Sequence, residues 1–459
     1  MKSRKMSEDK KREIKIAYIG GGSRDWGPKF MTDLALCPNL SGELVLYDID
    51  SEAALANVRL ANLLFAHPEA KTTFRVRAAK TSKGALTGAD FVVMSIEPSP
   101  ITMRYADLEI PRAYGIIQSV GDTTGPGGIL RALRAVPIYQ HYAHQIMEYC
   151  PNSWVISYTN PMTICTATLS TVEPSIKAFG CCHEVFSTQE MLAGLVEKWF
   201  AVPRPDRREI RLDLAGINHF TFATAASWKG EDLFPRLRQM IGEEGFFNDH
   251  TPQALHRLEN HLWFDHDSLI AFDFLARFGV LGAAGDRHLA EFVPWYLSIE
   301  NELHRWGVIL TPYSWRVERM SRHSTRDLQS HIVSSGEEGV TQILALLGIK
   351  HLTTNVNYPN RGQHPGLETG AVVETFALFT DNEIRPLVSK SLPAMVLSLV
   401  NHVSQIQKMT LEAALIRSKE LAFQALLNDP LVRIPTDQAW AMFEEMLTFV
   451  KDTLPDWSL

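Results

Sequence analysis

The sequence predicts an α/β protein, with a doubly wound parallel sheet in its first half and a mixed α+β lobe in its second. Two observations carry that expectation. Through roughly the first 200 residues, short apolar runs alternate with stretches of helical rhythm, the pattern of crossover units in a parallel sheet. Beyond Pro203 the alternation ends and long helical stretches dominate. The spacing places strands over 14–19, 43–48, 91–95, 154–158 and 176–180, with a helix over 51–65. In the second half it places a strand over 211–215 and helices over 267–277, 384–406 and 411–427. No repeat, low-complexity tract or disordered linker interrupts the sequence, so the two lobes are expected to pack closely.

Composition narrows the function classes. The 459 residues are 45% hydrophobic and 21% charged, which suits a globular protein of two lobes. A net charge of -7, with basic residues scattered except near Lys2 to Arg12, argues against a nucleic-acid surface. No apolar run is long enough to span a bilayer. The first residues lack the apolar core of a secretory signal, and their acidic residues disfavour a transit peptide. Five cysteines without a framework spacing point to a reducing compartment, so a cytoplasmic location is expected.

The first strand runs into Gly20-Gly21-Gly22-Ser23. Gly20 and Gly22 fit the first two positions of a Gly-x-Gly-x-x-Gly turn, which bends a strand into a helix and brings backbone close to a pyrophosphate. Asp25 replaces the third glycine. Asp48, at the end of the second strand, can accept hydrogen bonds from both ribose hydroxyls of NAD and would repel a 2'-phosphate. Residues 13–202 are therefore expected to form a Rossmann-like NAD-binding domain, preceded by a flexible segment over 1–12 and followed by the substrate lobe over 203–459. Ligands bind such a sheet at the carboxyl ends of its strands. Glu97 and Asn160 also fall at strand ends, so Gly20, Gly22, Ser23, Asp48 and Glu97 are the cofactor-binding candidates.

Two further segments carry ligand chemistry: Cys181-Cys182-His183-Glu184 after a predicted strand, and Gly216-Ile217-Asn218-His219 after another. A thiolate and an imidazole suit a borderline divalent metal. A double cysteine after a strand also reads as core, and a histidine after asparagine as a structural residue. Cys181 and Cys182 face opposite ways if the strand continues, which leaves Cys181 for the core.

With these residues in view, the chain resembles the NAD- and metal-dependent family 4 glycoside hydrolases over nearly its whole length. The likeness rests on Ile16 to Ser23, Gly121 to Gly128, Tyr158 to Met162, Cys182 to Val185, Gly216 to His219 and Asn355 to Asn360. The tetrapeptide Cys-His-Glu-Val at Cys182 resembles the α-galacturonidase subgroup, and Gly285 to Phe292 strengthens that likeness. Forms associated with 6-phospho-glycosides carry Cys-Asn or Cys-Asp instead. The resemblance implies that Cys182 and His219 bind Mn²⁺ or another divalent metal, and that Asn160 and Asp122 contact the sugar. It implies leaving-group protonation or substrate contact by His183, and base catalysis by Asp273. Arg287 and His288 become candidates for a sugar carboxylate. From spacing alone, Asp273 also suits a salt bridge to Arg277, and Arg287 a pair with Asp286 or Glu291.

The implied reaction is hydrolysis by an unusual route. Hydride passes from sugar carbon 3 to NAD⁺, a base removes the carbon 2 proton beside the metal, and the aglycone leaves by elimination. Water then adds and the hydride returns. The expected partner is a small, acidic saccharide, with no nucleic acid or membrane, in a homodimer or homotetramer. Competing readings are the same chemistry on a glucuronide, 6-sulfonated sugar, glucoside or galactoside, a 2-hydroxy-acid dehydrogenase, or a non-catalytic NAD-binding regulator.

Overall fold

Six apolar runs of the first half form the parallel part of a nine-stranded sheet in the computed structural model, which describes residues 11–297, 300–321, 331–455 and 457. They are β1 (Arg12–Ile19), β2 (Leu40–Tyr47), β3 (Phe74–Ala78), β4 (Phe91–Met94), β5 (Trp154–Ser157) and β6 (Lys177–Gly180). Their order, β3-β2-β1-β4-β5-β6, is that of a dinucleotide-binding sheet. Burial on both faces explains the continuous apolar character of β4 and its apolar neighbour β5, whereas the edge strand β3 alternates with exposed arginines. Ile14, Ile16 and Tyr18 of β1 pack with Phe30, Met31 and Leu34 of the helix Trp26–Ala35. Ala17 and Ile19, pointing the other way, pack with Ala135 and Tyr139 of the helix Gly125–Tyr149.

The second sheet is antiparallel: β7 (Ile210–Ile217), β8 (Phe220–Trp228), β9 (Glu231–Asp232) and β10 (Leu281–Gly282), in the order β10-β8-β7 with β9 on β8. Ile217 pairs with Phe220, so Asn218 and His219 alone form the tip of the β7–β8 hairpin. The chain then returns to the first sheet through β11 (Leu352–Pro359), β12 (Val372–Thr380) and β13 (Glu383–Pro386). All three are antiparallel additions, joined where Asn357 of β11 meets Gly180 of β6.

Several expectations change. Arg12 already belongs to β1, so the expected flexible segment does not reach residue 12, and residues 1–10 lie outside the described part. The first sheet crosses the expected boundary between residues 202 and 203, because β11 to β13 belong to it. Ile384 lies in β13, and the helix expected from there starts at Ala394, after Pro393, and continues to Ile416. The rhythm over 411–427 is broken at Arg417, whose φ of 56° is left-handed, and Ser418 caps the next helix by accepting from the Leu421 amide. No described helix is long and apolar enough to cross a membrane.

Candidate active site

The nucleotide turn is built as the glycine spacing requires. Gly20 has φ +84°, and a Cβ there would sit 2.0 Å from the Ser95 carbonyl oxygen. The Gly22 amide donates to Asp48 Oδ2 at 2.8 Å, and the Asp50 amide to Oδ1 at 2.9 Å. A Cβ on Gly22 would press on Ala53 and on this carboxylate. Asn57 clamps the turn from the next helix by donating to the Gly21 and Ser23 carbonyls. Ser23 Oγ lies 3.3 Å from Ser95 Oγ across the mouth of the turn. Asp25, at the position of the missing third glycine, pairs with Arg319 at 3.0 Å. Backbone approach, a helix N-terminus and a strand-end carboxylate together fit a dinucleotide.

The metal candidates meet across the two sheets. Cys182 follows β6, and His219 sits on the hairpin tip with φ +65°, where a non-glycine residue is uncommon. Cys182 Sγ and His219 Nε2 are 3.4 Å apart and both residues are buried. That separation suits two donors of one ion at ordinary metal–sulfur and metal–nitrogen lengths. The Thr123 hydroxyl donates to Asp122 Oδ1 at 2.7 Å, so its contact with His219 Nδ1 at 2.9 Å must be one it accepts. The Nδ1 proton is thereby fixed and the Nε2 lone pair faces Cys182. Burial, reinforced by the His288 ring, pushes His219 down to about 3, so the imidazole is neutral near pH 7. Burial, with Glu374 and Glu184 nearby, pushes the Cys182 thiol well up. A divalent cation supplies the counter-charge that makes a thiolate favourable there. Cys181 turns away into the core between sheet and helices, as expected.

Asp122 and His288 border this pair. Their donor atoms and one of His219 all lie within 4.8 Å of one another. The His219 and His288 rings lie 3.8 Å apart at a tilt of 35°, and His288 Nε2 is 3.6 Å from Glu184 Oε1. Burial lowers the His288 pKa against the pull of Glu184, and its Nδ1 has no partner among the described residues. Burial opposes ionisation of Asp122, but Arg104 and the neighbouring histidines outweigh it and hold the carboxyl well below the usual range. Asn160, followed by a cis peptide to Pro161, donates from Nδ2 to Asp122 Oδ2 at 3.3 Å. Its Oδ1 is buried without a partner among the described residues. Orphaned atoms on Asn160 and His288 beside a soft donor pair fit a site built for a ligand.

Not every candidate arrives there. Asp273 is buried, but its Oδ1 accepts from Arg277 Nε at 2.8 Å and its Oδ2 from the Tyr296 hydroxyl at 2.8 Å. The helical i,i+4 salt bridge is the arrangement realised, and neither partner belongs to the metal cluster. Glu97, expected among the cofactor ligands, is gripped in a fork by Arg131, whose Nε donates to the Asn160 carbonyl at 2.9 Å. It therefore anchors Asn160. Arg287 pairs with neither Asp286 nor Glu291. Its Nη2 donates to the Ser119 carbonyl and to Thr311 Oγ1, both at 3.1 Å. His183 is half-exposed, with its ring 5.2 Å from Trp26 and its nitrogens 3.8 and 3.9 Å from Glu184 and Glu337. It lines a cavity of about 1400 Å³ whose walls include none of Cys182, His219, Asp122, Asn160 and His288.

Sequence reasoning missed Thr123 and Asn355. Asn355 Nδ2 donates to the Cys182 carbonyl at 3.0 Å and to buried Glu374 at 2.8 Å, which holds the backbone at Cys182. Both lie inside motif blocks singled out above, and paired asparagines within an otherwise apolar strand were the available signal.

Comparison with known proteins gives concordant matches. Residues 15–198 match the model of the Family 4 glycosyl hydrolases, and residues 214–432 match that of the Family 4 glycosyl hydrolase C-terminal domain. The α-galacturonidase of Thermoanaerobacterium saccharolyticum is 45% identical over 469 residues, covering 99% of each chain. The crystal structure of lplD from Bacillus subtilis is 43% identical with a TM-score of 0.86, covering 95% of this chain and 100% of that one. A 6-phospho-α-glucosidase from gut microorganisms, solved in complex with NAD and Mn²⁺, shares the fold. Its TM-score is 0.76 at 21% identity, with 97% of this chain and 100% of that one covered.

Proposed function

We propose that this chain, which belongs to family 4 of the glycosyl hydrolases, is an NAD- and divalent-metal-dependent α-galacturonidase acting on small uronide-terminated saccharides. That it is a glycosidase follows from the family. The observation that carries the finer reading is the convergence of Cys182 Sγ and His219 Nε2 at 3.4 Å, with the Cys-His-Glu-Val sequence at that cysteine. The 45% identical relative named α-galacturonidase supports the glycone.

When bound, NAD supplies a reversible hydride acceptor for sugar carbon 3, and the metal a Lewis acid that acidifies the proton on carbon 2. The chain's own residues orient the reactants and move protons. Gly20, Gly22 and the N-terminus of the helix Trp26–Ala35 cradle the pyrophosphate, with Asp48 on the ribose. Cys182 and His219 hold the ion, and Thr123 keeps the imidazole in the ligating tautomer. Asn160 presents its free Oδ1 to the sugar hydroxyls, braced by Asp122 and Arg131.

The base must face the site within hydrogen-bond reach of carbon 2. His288, buried, neutral and with a free Nδ1 beside His219, meets that need better than the salt-bridged Asp273. His183, half-exposed and next to Cys182 in sequence, is the group assigned to protonate the departing oxygen. A glycosidase assay with an aryl α-galacturonide, NAD⁺, Mn²⁺ and a reductant tests the reading. Hydrolysis is expected, with loss of activity on chelation or nucleotide removal. No hydrolysis of any galacturonide, or full activity without metal and nucleotide, would overturn it.

A further inference from the structure

Three arginines from three separate elements converge on one loop. Arg104 opens the helix Arg104–Ala113, Arg287 lies in the short helix Asp286–Leu289, and Arg316 in the helix Tyr313–Ser321. The Ser119 carbonyl accepts from Arg287 Nη2 at 3.1 Å and from Arg316 Nη2 at 3.4 Å. The next carbonyl, Val120, accepts from Arg104 Nη2 at 3.5 Å. Arg104 and Arg287 are buried, 5% and 7% exposed. The Nε of all three arginines is enclosed and has no partner among the described residues.

Among the described residues, Arg287 and Arg316 have no carboxylate within salt-bridge distance, and Glu184 and Glu291 act on Arg287 only at longer range. Asp122 is 3.9 Å from Arg104 but already serves Thr123 and Asn160. Glu291 Oε1 is taken by the Val120 and Gly121 amides. Burial, then the repulsion of Arg104 and Arg287, pushes Arg316 down to about 9. Holding three under-neutralised cations together is costly unless a bound anion completes the set.

We propose that Arg104, Arg287 and Arg316 form one anion subsite for the carbon 6 carboxylate of the sugar, with Arg104 and Arg316 as its further specificity-determining members. A planar carboxylate accepts from two guanidinium forks at once, and the three Nε groups are buried donors without an acceptor among the described residues. The link from Arg104 through Asp122 to Thr123 and His219 ties the subsite to the Cys182–His219 pair. The inference rests on the galacturonidase reading for the identity of the anion. A 6-phosphate shares the charge chemistry.

The test titrates the holoenzyme, loaded with NAD⁺ and Mn²⁺, with galacturonate, galactose and glucose 6-phosphate. Galacturonate is expected to bind about 10- to 100-fold tighter than galactose. In Arg316→Gln that preference should largely vanish, with galactose, NAD⁺ and Mn²⁺ binding unchanged, and Arg316→Lys should recover part of it. A preference unchanged in Arg316→Gln, or absent from the wild type, overturns the proposal. Stronger binding of glucose 6-phosphate overturns the carboxylate assignment. Should Arg316→Gln fail to fold, Arg104→Gln is read on the same scale. Galacturonate binding that depends on Arg316 without turnover of any galacturonide keeps the subsite and rejects the proposed activity. Turnover with a preference indifferent to Arg316 does the reverse.

Discussion

Thr123 Oγ1 accepts a hydrogen bond from His219 Nδ1 at 2.9 Å because its own hydrogen is committed to Asp122. Histidine ligands depend on such partners for tautomer and ring orientation, and their loss costs roughly 10- to 100-fold in metal affinity. Thr123→Val keeps the shape and removes the acceptor. Mn²⁺ titration of metal-free enzyme should show weaker binding by that factor, alongside a melting temperature lowered by the loss of two buried hydrogen bonds. Equal affinity would mean that the threonine does not set the tautomer.

Asp48 receives the Gly22 and Asp50 amides, so its carboxylate is fixed at the end of β2. Asp48→Ala removes a charged acceptor for the ribose hydroxyls, an interaction worth about 1.5–3 kcal/mol. Direct binding measurements should give an NAD⁺ dissociation constant raised about 10- to 100-fold. An unchanged constant would take the ribose away from this residue.

Asp273→Asn distinguishes a base from a structural acid. The carboxylate links buried Tyr296 to Arg277, whose side chain is 63% exposed, so the arginine half contributes little. The variant should lose about 1 kcal/mol of stability and keep its turnover within a few-fold. A fall of several orders of magnitude in turnover would restore Asp273 as the base in place of His288.

Glu291 gives the fold a pH dependence. Burial, outweighing the Val120 and Gly121 amides, pushes its carboxyl from 4.5 up to about 7. An acid with a raised pKa stabilises the fold fully below its unfolded value, and that stability is lost as pH rises through the folded value. The window therefore runs from about 4.5 to about 7. Glu291→Gln retains an oxygen for both amides and removes the ionisation. Its melting temperature should gain on the wild type across that window, and a constant difference would contradict the assignment.

The parts of the molecule legible in the sequence were those with local signals. Buried runs marked β1, β2, β4, β5 and β6, and the left-handed Gly20 marked the turn. Cys182 and His219 were readable as donors, but only the hairpin and sheet show that they meet. The return of β11 to β13 to the first sheet carries no local signal, since long-range pairing leaves none in a window of residues. Asp273 was ambiguous for a physical reason: base and salt bridge both fit its spacing, and Tyr296 on a separate segment decides. Arg104 and Arg316 lie far apart in sequence, so their convergence at Ser119 and Val120 appears only in three dimensions.

Hydrolysis of an α-galacturonide in deuterated water tests the central claim most directly, because the route through sugar carbons 2 and 3 exchanges a carbon-bound proton that ordinary hydrolysis leaves untouched. Galacturonate released by the NAD⁺- and Mn²⁺-loaded enzyme should carry deuterium at carbon 2, as read by NMR. Product with only hydrogen at carbon 2 after complete turnover would contradict the elimination route at the Cys182–His219 site.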